Sequence, residues 1–82
     1  MRFRRLEGFQ DDYKRLLPDE QALVDKALQF FVMNPRHPSL RLKKRMGSKG
    51  IWEGRASLNL RFTFTWERDL ITLRAVGHHD EV

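Results

Sequence analysis

Residues 58–66, LNLRFTFTW, decide how this chain is read. From Leu60 onward apolar and polar side chains alternate with a period of two, the spacing of a strand with one buried face. Leu60, Phe62, Phe64 and Trp66 fall on one side, Arg61, Thr63 and Thr65 on the other. That much aromatic surface is stable only out of water, so the first side faces the core. The flanking runs repeat the pattern. In IWEGRAS (51–57), Trp52, Gly54 and Ala56 alternate with Glu53, Arg55 and Ser57; in LITLRAV (70–76), Ile71, Leu73 and Ala75 alternate with Thr72 and Arg74. The breaks around Leu58-Asn59 and Glu67-Arg68-Asp69 are too short for crossovers, which predicts an antiparallel meander. With the Trp52 side in the core, Glu53, Arg55, Arg61 and Arg74 share the open face, three arginines around one carboxylate.

Upstream the period lengthens to that of a helix. EGFQDDYKRLL places Phe9, Tyr13 and Leu16 at helical spacing. Pro18 closes that segment and can open the next, because DEQALVDKALQFFVMN follows with acids in its first turn, where the helix dipole favours them. Leu23, Ala27, Phe30 and Phe31 form its apolar stripe, widened by Val24 and Leu28. Asn34-Pro35 ends the helix, PRHPSL is a loop, LRLKKR is an extended segment and MGSKG a turn. MRFRRL, with Met1, Phe3 and Leu6 apolar, reads as a short first strand. The expected architecture is therefore α+β, βααβββ with the extended segment as a further strand: an antiparallel sheet with a helical hairpin on one face.

An 82-residue chain of this kind is a single domain, 1–82, with a small core. Nine aromatics (six Phe, two Trp, one Tyr) argue for a folded globule and the absence of cysteine excludes disulfides and thiolate metal sites, in keeping with a cytoplasmic protein. No apolar run is long enough to span a membrane, and no apolar segment follows the basic N-terminus, so neither a membrane anchor nor export is expected. The formal net charge is +5, and it is localised. Residues 35–61 hold eight basic side chains against the single acid Glu53, whereas residues 1–34 are balanced, six against six, and residues 62–82 are acidic, two against four. A block of this kind suits a polyanion, since phosphates it neutralises release their counterions; a solvated basic face is the plainer reading. Lys43, Lys44 and Arg45 stand in the extended segment beside the strand arginines, and arginine's fork matches phosphate geometry.

The chain ends AVGHHDEV (75–82). A metal centre needs three or four converging ligands, adjacent histidines on extended chain diverge, and His37 lies in the distant loop, so no metal and no cofactor is expected. A polar tail and acid/base chemistry near neutral pH remain open for His78 and His79. Regular alternation from Arg74 through Val76 would put His78 on the arginine face, with Gly77 a weak point in that register. Arginines, lysines, one carboxylate and an imidazole are the parts that RNA cleavage by side chains alone requires.

In the order "FQDDYKRL", "NPRHPSLRLKK", "IWEGRASLNLRFTFTW" and "LITLRAVGHHDEV", nearly the whole chain resembles the RelE/ParE superfamily of toxins from bacterial type II toxin–antitoxin modules. The resemblance implies a sheet with a helical hairpin, a cognate antitoxin that wraps the toxin, and, in the RelE-like branch, metal-independent cleavage of mRNA on the ribosome. Carried onto these residues it makes His79 the general acid, with His78 its neighbour, Glu53 the base, Arg55 and Arg61 the stabilisers of the phosphate, and Lys43 and Lys44 residues that bind RNA; charge and strand parity add Arg45 and Arg74 to that set. The ParE-like branch instead poisons DNA gyrase, and the fold does not separate the two; a basic face that merely holds nucleic acid or an acidic antitoxin tail is the third possibility. Many relatives carry a further aromatic, often tyrosine, beyond the last strand; here the chain stops at Val82 and its one tyrosine is Tyr13.

Overall fold

The computed structural model describes residues 1–80 and 82. The elements run β1 (Arg2–Arg5), α1 (Glu7–Arg15), α2 (Pro18–Met33), β2 (Lys43–Lys44), β3 (Ile51–Arg55), β4 (Leu60–Glu67) and β5 (Leu70–His78). The strands form one sheet in the order β1-β5-β4-β3-β2. The meander β2 to β5 is antiparallel, as its short connections require. β1, at the sheet edge, is the exception to the antiparallel pairing: it lies parallel to β5, Phe3 beside Ile71.

Pro18 is the first residue of α2, and the Glu20 carboxylate reaches back to accept the Leu17 N–H at 2.9 Å, satisfying one donor of the helix start. Val24, Ala27, Leu28 and Phe31 form the buried stripe; Leu23, expected within it, is 41% exposed. The stripe is rotated because Phe31 takes the centre, meeting Phe3, Phe64 and Trp66 edge-on at 5.1–5.5 Å between centroids. Phe9, Phe62, Phe64, Ile71, Leu73 and Leu40 complete the core. Of the LRLKKR segment only Lys43–Lys44 is strand; Leu42 leans over Gly54, where a Cβ would come within 2.7 Å of its Cδ2 and 2.6 Å of the Phe62 ring. Gly54 is thus needed for close approach, not for a turn.

Register in β5 breaks once. Leu73 pairs with Phe64, but Ala75 pairs with Thr63, leaving Arg74 as the extra residue of a bulge. Beyond it the alternation shifts by one: Val76, not Ala75, is buried at 3% exposure, opposite Phe62. α1 packs over this point. A Cβ on Gly8 would sit 3.4 Å from the Arg74 carbonyl oxygen, and the Asp12 carboxylate accepts the Val76 N–H at 3.2 Å.

Candidate active site on the open face of the sheet

The bulge settles which histidine faces the arginines. With Val76 in the core, Gly77 pairs with Arg61 and His78 with Leu60, so His78 turns to the helices. There its Nε2 meets Glu20 Oε2 at 2.9 Å. His79 then falls on the open face, its N–H donated to the Asn59 carbonyl at 2.7 Å. The regular alternation that favours His78 is corrected by one unpaired residue.

On that face a cleft of about 420 Å3 is lined by Arg41, Lys43, Arg45, Glu53, Arg55, Arg61, His79 and Val82. Glu53 lies at its centre, with Oε1 3.5 Å from Arg45 Nε and Oε2 3.9 Å from Arg61 Nε. Arg61 forms the floor. Its side chain is 7% exposed, and its Nη1 donates to the Leu58 carbonyl at 2.7 Å and to that of Ser57 at 3.3 Å. Those bonds fix the guanidinium before any ligand arrives. Arg55 stands directly opposite Arg61 across the β3–β4 pair, and like charges facing each other cost stability. Five cations around one carboxylate leave the cleft strongly positive, a field suited to an anion.

Of the residues expected here, Glu53, Arg55, Arg61, Lys43, Arg45 and His79 come together. Lys44, His78 and Arg74 do not. Lys44 pairs with Trp52 and holds its Nζ 5.7 Å over that ring, on the opposite side from Lys43, which pairs with Glu53. Arg74 is exposed at the bulge, outside the cleft. Arg41 is an addition: it follows the two-residue spacing of Lys43 and Arg45 and was legible from that spacing alone, although its own backbone is left-handed (φ 47°). Tyr13 lies elsewhere, donating its hydroxyl to Asp25 at 2.9 Å; that bond, with burial, raises its pKa. Among the described residues no three His, Asp or Glu side chains gather as metal ligands, and no helix is long and apolar enough to cross a membrane.

No protein-family model matches the chain, nor does any curated protein. Solved structures do, over essentially the whole length. A metal-bound toxin from Helicobacter pylori superposes with TM-score 0.80 at 18% identity, covering 100% of this chain and 98% of the other. YafQ from E. coli superposes with TM-score 0.78 at 12% identity, covering 98% and 96%. A RelB–RelE antitoxin–toxin complex from Methanococcus jannaschii gives TM-score 0.75 at 19% identity, covering 94% and 91%. The fold is that of the RelE-like toxins.

Proposed function

We propose that this protein is the toxin of a toxin–antitoxin module and an endoribonuclease that cleaves mRNA on the ribosome, halting translation. One observation carries the reading: a single cleft gathers five cations, the Glu53 carboxylate and the His79 imidazole, so each role in phosphodiester cleavage has a side chain. Glu53 takes the proton of a ribose 2′-hydroxyl, whose oxygen attacks the adjacent phosphorus. Arg55 and Arg61, with Lys43, stabilise the extra negative charge on the five-coordinate phosphate. Protonated His79 gives its proton to the departing 5′-oxygen. The strand is left with a 2′,3′-cyclic phosphate and a 5′-hydroxyl, and no group beyond the side chains is consumed. Two solved structures of the same fold are complexes of RelE with RelB. They support a cognate antitoxin as the protein partner here.

Induced expression in bacteria, with growth scored and mRNA 5′ ends mapped, tests the reading. Growth arrest with new 5′ ends that carry a free hydroxyl, and relief by co-expressed antitoxin, are the expected results. His79→Ala should reduce cleavage by roughly 10²–10⁴-fold, the range for a lost proton-transfer group. Growth arrest with intact mRNA would overturn the nuclease; topoisomer analysis would then test gyrase, and binding without cleavage would identify a non-catalytic binder.

A further inference from the structure

Beside the cleft a second cavity, of about 440 Å3, opens between the loop that follows α2 and the edges of Trp52 and Trp66; Arg41 lines both. Its character differs. Trp52 and Trp66 meet edge-to-face at 5.5 Å, each only half-buried, and Arg36 and His37 face them across the opening. No acid is among the lining residues. The loop wall is already built: the His37 ring stacks on Phe30 at 4.2 Å, and its Nδ1 pairs with the Ser39 hydroxyl at 2.8 Å. A gap between two indoles and a fixed loop forgoes core packing, and the rim around it is cationic, with Lys44 Nζ 5.7 Å over the Trp52 ring. An apolar wall of indole edges and the loop prolines Pro35 and Pro38, with cations at the mouth, matches an aromatic group tethered to an anion, as a base is to its phosphate. The volume lies within the ordinary range for a small-molecule site.

We infer that this cavity receives one unpaired nucleobase of the same RNA strand whose phosphate occupies the cleft, with Arg41 bridging the two. The inference rests on the reading of the cleft as an RNA site, and it extends that reading from the backbone to a base.

Trp52 and Trp66 are the only tryptophans in the chain, so intrinsic emission reports on this cavity. The full chain is titrated with a short single-stranded oligoribonucleotide, 2′-O-methylated so that it cannot be cut, and with an abasic strand of equal length and charge; binding is read independently by anisotropy of a terminal dye. The base-bearing strand should quench the emission and bind at least about fivefold more tightly, the low end of what stacking one base contributes. Arg36→Ala, at an exposed loop position outside the cleft, should reduce that preference, weakening the base-bearing strand several-fold more than the abasic one. Equal binding of both strands with unaltered emission would overturn the base site while leaving the cleft reading standing. Binding of neither strand would overturn the base site, while the cleft reading is decided separately by the mapped mRNA 5′ ends. Quenching by an acidic peptide but not by RNA would overturn the proposal by assigning the cavity to a protein partner.

Discussion

His78 and His79 are the same side chain one residue apart, and the fold gives them unrelated work. Glu20 joins His78 to the start of α2: one carboxylate oxygen accepts the Leu17 N–H and the other meets the imidazole, each at 2.9 Å. The Leu17 bond first, and then His78, hold the Glu20 carboxyl below its ordinary range. A carboxyl whose folded pKa is lowered stabilises the fold above its unfolded value of about 4.3, and loses that contribution as the pH falls through the folded value. Wild type should therefore melt above Glu20→Gln at neutral pH, and the two Tm values should converge in acid; a gap constant across the carboxylate range would refute the linkage. His78→Ala should likewise lower Tm, while cleavage falls far less than in His79→Ala, as single-turnover rates on a reporter mRNA would show. Both histidines were visible in the sequence as acid/base candidates. Which one faces Arg61 was not, because the bulge residue Arg74 is an ordinary strand-surface side chain with neither glycine nor proline to mark the break.

At the scale of elements, alternation within β4 placed Phe62, Phe64 and Arg61 correctly, since a one-residue slip would turn its aromatic side out to water. Short segments were less legible. Lys43 and Lys44 divide between the two faces, and only pairing with β3 decides which lysine enters the cleft. β1 was readable as a strand, but its parallel place beside β5 depends on how the whole chain closes and not on its own residues. Gly54 is the element-scale residue most exposed to test. It lets Leu42 cross over β3 against Phe62, and an added methyl would stand 2.6 Å from a ring that has no room to retreat. Gly54→Ala should cost about 1–3 kcal/mol, the usual penalty of overpacking, measured as a lower denaturation midpoint at unchanged slope. Because Glu53 and Arg55 flank the glycine, cleavage should fall in the same variant even where it remains folded. A variant of undiminished stability would mean that Leu42 moves aside freely.

Over the whole molecule, charge is sorted by the fold as well as by the sequence. The basic block of residues 35–61 supplies all five cations of the cleft, while residues 1–34, which form β1 and the helices, are balanced. Attraction for a polyanion is thus strongest at the cleft, and its strength should depend on salt. Each phosphate contact on a single strand contributes about −0.7 to the slope of log K against log salt, because bound counterions are released. Lys43→Gln, which removes an exposed cleft cation without disturbing the core, should make the measured slope shallower by about that amount. Arg15→Gln is the matched control: it removes the same charge from the end of α1, where Arg15 pairs with Asp12. If RNA is drawn by net charge alone, the two variants weaken binding equally. If the cleft is where phosphates sit, only the Lys43 variant changes the slope, and that difference separates a basic surface from a site.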